Sequence, residues 1–190
     1  MMKFRAVATM LLAASVASPC VSAQPPSNDY TQVLHYTLEL VNTPKILYGI
    51  IDRGTFNDAT KQAMRHVVAN INLDDLAERM TAGYEAQVTA QQISECMRFI
   101  RSPAGQKLTA AIHDNSFQRN PQAYINAMNP ADGANLNAYM SGSCVFANLP
   151  DTQEMHKEFS TFLADQTCST LSKTNPDIFS NLTRSGYCKP

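Results

Sequence analysis

Residues 84–112 read YEAQVTAQQISECMRFIRSPAGQKLTAAI, and the fold class follows from them. Ile93, Cys96, Met97 and Ile100 recur at i, i+3, i+4 and i+7, which lines them up on one face of a helix. Thr89, followed three residues later by Gln92, has the form of a capping box at that helix's start. Ser102-Pro103 then breaks the chain and starts it again. Proline has no N–H and a φ already near the helical value, so it suits the first position of a helix. A serine before it can accept a bond from the unpaired N–H groups of the first turn. Gly105 within the second helix costs about 1 kcal/mol relative to alanine, which predicts that a neighbouring helix approaches closely there. Ser102, Pro103, Gly105 and Gln106 therefore read as a structural motif, and the alternative is a binding role for the exposed Gln106 and Lys107.

The same signals run outward in both directions. Apolar stripes of helical period pass through Tyr30, Val33, Leu34, Leu38 and Val41, through Leu47, Ile50 and Ile51, and through Met64, Val67, Val68 and Ile71. They continue in Leu73, Leu76, Ala77, Met80 and Tyr84, and again in Met155, Phe159, Phe162 and Leu163. Capping residues precede prolines at Thr43-Pro44, Asn120-Pro121, Asn129-Pro130 and Asn175-Pro176, while Gly54 and Gly186 are candidate stops. No run of alternating β-branched residues is long enough for a strand. The expectation is all-α: an irregular bundle of about eight or nine short helices in a single domain over residues 30–190.

The first residues predict export. Lys3 and Arg5 give a positive start, Ala6 to Ala17 an uncharged apolar run, and Val21-Ser22-Ala23 a small-residue cleavage site. The run is shorter than the roughly 20 residues needed to cross a bilayer, so no transmembrane segment is expected. Cys20 follows Pro19, where a lipoprotein signal wants a small residue. Residues 1–23 are thus read as a cleaved signal peptide and 24–29 as a short flexible lead-in, with the protein periplasmic or secreted.

Cleavage removes two basic residues, and the formal charge moves from −1 to −3. With no basic block anywhere, nucleic acid is not an expected partner. Cys96, Cys144, Cys168 and Cys188 remain, an even number that reads as two disulfides in an exported chain. No CxxC pair supports a zinc site. Three pairings are open, and helix geometry favours Cys96–Cys144 with Cys168–Cys188. Cys96 shares the inward face of Ile93 and Met97, and Cys144 lies four residues beyond Met140 and eight beyond Leu136, on the same side of a helix. Cys168 falls half a turn from the Phe159 stripe, so a tail running over the outside would carry its partner.

The helix that ends at Phe99, followed by Ser102-Pro103-Ala104-Gly105-Gln106 and a further helix, resembles the core of the bacterial domain-of-unknown-function 2059 family. The resemblance covers residues 84–112, with Ile100 in place of the second residue of an aromatic pair. Residues 113–190, with three of the four cysteines, fall outside it. It implies an exported all-helical domain of a Gram-negative bacterium and brings no activity with it.

Catalytic signals are sparse. His35, His66, His113 and His156 are far apart and fit no HExxH spacing. His113, Asp114 and Ser116 have the residue types of a hydrolase triad, yet near neighbours on a helix face different ways and no GxSxG elbow is present. No glycine-rich phosphate loop occurs, and no cofactor is expected. The functional expectation is a non-enzymatic envelope protein that binds another protein or a small ligand. The alternative is an envelope-directed hydrolase with His113 or His156 as base. Convergence of those groups in a concave pocket would favour the enzyme, and an apolar groove with isolated histidines the binding protein. Mass spectrometry of the exported protein is expected to find Gln24 as its first residue; an intact Met1 or a lipid on Cys20 would contradict the export reading.

Overall fold

Asparagine, serine and threonine side chains open most of the helices, and their positions explain the chain's segmentation. A computed structural model describes residues 27–189; residues 1–23 and the first part of the lead-in, 24–26, lie outside the described residues. Among the described residues eleven α-helices follow one another: α1 Ser27–Leu40, α2 Thr43–Arg53, α3 Asp58–Ala69, α4 Leu73–Glu85, α5 Ala90–Ile100, α6 Pro103–His113, α7 Ser116–Arg119, α8 Pro121–Ala127, α9 Pro130–Ser141, α10 Gln153–Thr174 and α11 Pro176–Arg184. A 3-10 turn spans Phe146–Asn148, and no strand is found among the described residues. The all-α expectation holds. The helices outnumber the expected eight or nine because α7 and α8 are too short to carry a periodic stripe. The lead-in boundary also shifts, since α1 starts at Ser27 and Asp29 in its first turn pairs with Arg101 at 3.0 Å.

Four of the five proline-preceding residues cap as expected. Ser102 accepts from the Gly105 N–H at 3.1 Å, Asn120 from Ala123 at 3.1 Å, Asn129 from Asp132 at 2.9 Å and Asn175 from Ile178 at 3.3 Å. The Thr89–Gln92 capping box is complete. Thr43 is the exception. Asn42, in the left-handed region at φ 54°, is the cap, and the buried Thr43 hydroxyl donates to the Leu38 carbonyl at 2.7 Å. Thr43 therefore ties the end of α1 to the start of α2 and is itself the first residue of the new helix.

The main core forms where α1 lies along α4, with α5, α6, α9 and the first half of α10 closing around them. Val33, Leu34, Leu76, Met80, Ile93, Leu108 and Met155 are fully buried there. Two satellite clusters extend it. Leu47 and Ile51 meet Met64 and Val68 between α2 and α3, and Val67, Leu171, Ile178, Leu182 and Cys188 gather between α3, α10 and α11. At 22 residues, about 33 Å, α10 is the one long helix, and it touches all three clusters. Arg79 of α4 fixes its rotation, pairing with Asp165 at 3.0 Å while its guanidinium lies 5.4 Å over the Phe162 ring.

The turn between α5 and α6 accounts for Gly105. A Cβ on Gly105 would stand 2.2 Å from the Phe99 carbonyl oxygen and 2.7 Å from that of Ile100. The expected close neighbour is thus the end of the preceding helix itself. The Ser102 hydroxyl bridges the two helices, donating to the Phe99 carbonyl at 2.7 Å while accepting from Gly105. Gln106 is exposed, and its amide reaches back to the Arg101 carbonyl at 3.4 Å.

Cysteine pairs bond as expected, Cys96 to Cys144 and Cys168 to Cys188. In the chain-entropy model, loops of 48 and 20 residues contribute roughly 4 and 3 kcal/mol. Two of the reasons for that pairing need correction. Cys144 lies beyond the end of α9, in a loop, while Met140 is exposed. Its carbonyl instead anchors a buried network, accepting from Thr37 at 3.1 Å and from the Tyr84 hydroxyl at 3.2 Å, with Tyr139 and Thr37 hydroxyls 3.0 Å apart. Nor does the tail run over the outside, because Cys188 is buried in a satellite cluster.

Two outcomes follow from these contacts. Ser102→Ala is expected to lower stability by about 1–2 kcal/mol, and Gly105→Ala, which drives a methyl into backbone, by about 3 kcal/mol, both read in urea titrations. Burial pushes the phenols of Tyr36, Tyr84 and Tyr139 well above their ordinary value. Folding then favours the protonated form, so this stabilisation is complete below about pH 10 and declines as pH rises toward the raised values. Absorbance at 295 nm should show these phenolates forming only together with loss of the helical circular dichroism signal.

Candidate functional site

The left-handed turn at Asn42 sends α2 away at an angle from α1, and α2 then spends Leu47 and Ile51 on its own satellite cluster. Ile46 and Ile50 are left 49% and 50% exposed. The sequence stripe had placed Ile50 in the core; the structure places it on the rim of a groove. One wall of that groove is α10, through His156, Phe159, Ser160, Leu163 and Ala164, which share a helix face at the spacing of i, i+3, i+4, i+7 and i+8. The other is α2 with Ile46 and Ile50, over a floor containing Leu38 and Thr43. Val41, Phe146 from the 3-10 turn and Tyr187 from the tail complete the lining, and the volume of the groove is about 590 Å³.

The chemistry of this lining is apolar. It contains no Asp, Glu, Lys or Arg. The Thr43 hydroxyl is already committed to the Leu38 carbonyl, and His156 Nδ1 lies 3.2 Å from the Thr152 hydroxyl. Burial raises the Tyr187 phenol above its ordinary value, and a hydrogen bond with Thr167 partly offsets that. A second cleft, of about 320 Å³, lies beside Cys144 between α5 and α9. It is smaller, and Glu95, Arg98, Gln92 and Asn135 make it more polar, without a group placed to react.

The candidate hydrolase residues do not converge. Asp114 accepts from the Ser116 N–H at 2.7 Å, and hydrogen bonding from the Ser116 side chain and backbone holds its carboxyl below the usual carboxylate range. The Ser116 hydroxyl, which lies against Asp114, also comes within 3.3 Å of the Ala111 carbonyl. His113 points instead to α1, with Nε2 3.5 Å from Glu39. This is a helix-end turn in which Asp114 and Ser116 bond mainly to the backbone and to each other, while His113 pairs with Glu39. His35 also approaches Glu39, at 3.8 Å, and Asp74, at 3.6 Å. The spacing of the histidines along the chain hides this meeting of His35 and His113 on one carboxylate. No group of three or more His, Cys, Asp or Glu residues is arranged to hold a metal ion among the described residues. No described helix is long and apolar enough to cross a membrane.

Of the sequence-selected residues, Ser102, Pro103, Gly105 and Gln106 form the α5–α6 turn, and the four cysteines form the two bonds; none of these except Ser102 and Cys144, which border the smaller cleft, lines either cavity. The groove brings together residues that the sequence reading distributes among separate stripes. The signal available for it was α2 itself, where Ile46, Leu47, Ile50 and Ile51 make the apolar arc too wide for one buried face. No protein-family model, curated protein or solved structure matches the chain.

Proposed function

We propose that this chain is a non-enzymatic binding protein of the bacterial envelope, exported through its N-terminal signal, whose working surface is the groove between α2 and α10. One observation carries the reading: a mostly apolar cavity of about 590 Å³, lined by no Asp, Glu, Lys or Arg, is bordered by two half-exposed isoleucines. Cavities of this size and character accept small apolar molecules or an apolar side-chain cluster of a partner. Two disulfides fit an oxidising compartment. The Ser102-Pro103-Ala104-Gly105-Gln106 turn supports placing the chain with the domain-of-unknown-function 2059 family, which agrees with an envelope role.

Titration with the uncharged fluorophore N-phenyl-1-naphthylamine tests the groove. Saturable enhancement is expected for the wild type. Ile50→Glu should weaken it at least about tenfold, or ~1.4 kcal/mol. Because Ile50 is half-exposed, the melting curve should stay near that of the wild type. Equal binding by the two proteins would exclude this surface.

A further inference from the structure

One end of the groove is built by the C-terminal tail. Resting on the groove reading above, we propose that the Cys168–Cys188 disulfide is a redox latch: it holds Tyr187 as the groove's end wall, and a dithiol reductant releases it.

The placement of Tyr187 depends on a short series of local contacts. α11 buries Ile178 and Leu182 against Leu171 and Val67, then stops in a reversing turn. Gly186 takes φ 79°, its N–H donates to the Thr183 carbonyl at 3.0 Å, and the Tyr187 N–H donates to the Leu182 carbonyl at 2.9 Å. This double bond pattern with a left-handed glycine turns the chain back on the helix. It delivers the Tyr187 ring edge-on to Phe56, with centroids 6.1 Å apart, beside Leu163 and Phe159 of the groove wall. Cys188 then bonds to Cys168, four residues beyond Ala164, so the covalent tie sits one helical turn from the wall it completes.

The two disulfides differ in access. Cys96 is 1% and Cys144 9% exposed, Cys144 beside the smaller cleft, whereas Cys168 is only partly buried, Cys188 is 3% exposed, and their bond closes the shorter loop. Thiol exchange needs a line of approach to one sulfur, and Cys168, the least buried of the four cysteines, is the one to take it. A thiolate of the dithiol attacks the Cys168 sulfur, the Cys168–Cys188 bond breaks, and Cys188 leaves as a thiolate that takes up a proton. The reductant's second thiol then displaces Cys168 from the mixed disulfide. The protein gains two thiols and the dithiol becomes a disulfide, a balanced two-electron exchange. Without the covalent tie next to it, Tyr187 is left to its Phe56 contact and its Thr167 hydrogen bond, which do not by themselves hold the ring in the wall.

The test uses full-length mature protein treated briefly with dithiothreitol and alkylated with iodoacetamide. Peptide mapping should find Cys168 and Cys188 alkylated while Cys96–Cys144 stays intact. N-phenyl-1-naphthylamine affinity should fall about tenfold, and amide exchange should rise over residues 185–189. Cys168→Ser with Cys188→Ser should give the same loss without reductant, and Tyr187→Ala should give it with the disulfide intact, which covers the case of a poorly folded double variant. Wild-type affinity in the alkylated protein or in Tyr187→Ala overturns the latch while leaving the groove standing. Earlier reduction of Cys96–Cys144 overturns it too. A wild-type protein that never binds the dye removes the groove and the latch together.

Discussion

The Ser102 hydroxyl donates to the last turn of one helix and accepts from the first turn of the next, and much of the main core is arranged around that pair of bonds. With only Arg101 and Ser102 between α5 and α6, the directions of the two helices are coupled. The coupling works only because position 105 has no side chain, since the carbonyl oxygens of Phe99 and Ile100 occupy the space a Cβ would take. From this corner α5 carries Cys96 to the loop beyond α9, and α6 carries Leu108 and Ile112 into the same core. Cys144 then serves twice, through its sulfur and through a carbonyl that satisfies two buried hydroxyls. Buried polar groups of this kind need their partners in fixed positions, so the corner and the network support each other.

Features legible in the sequence were those set by chemistry within a few residues. A serine or asparagine before proline meets the needs of a helix start wherever it occurs, and four of five such pairs serve as caps. Thr43 departs from the rule because a stronger demand exists nearby: the Leu38 carbonyl at the end of α1 is buried and takes its hydroxyl. The disulfide pairing was read correctly from helical faces, although Cys144 lies on no helix and the Cys188 tail is buried. What made the pairing hold is three-dimensional packing that periodicity does not encode.

The candidate site was less legible for the same reason. Phe159 and Leu163 look like core residues on a helical wheel, and they do touch a core. Their exposure is decided by where α2 departs from α1, and a single left-handed asparagine governs that departure. Asn42 carries no marker distinguishing it from the other asparagines until its φ is known. The meeting of His35 and His113 on Glu39 is equally hidden, because it joins α1 to the far end of α6.

Thr37 meets Tyr139 and Cys144 across 102 and 107 residues of chain, and Tyr30 meets the Val88 carbonyl across 58. The apolar stripe of α1 thus has no lasting partner until α4 has formed, and the Thr37 hydroxyl meets Tyr139 and Cys144 only when α9 and the loop after it arrive. Local caps allow each helix to form in microseconds, but assembly waits on these distant closures. During synthesis, Val33, Leu34 and Leu38 would stay uncovered until those distant segments have emerged, which is the interval in which such a protein most needs a holding chaperone.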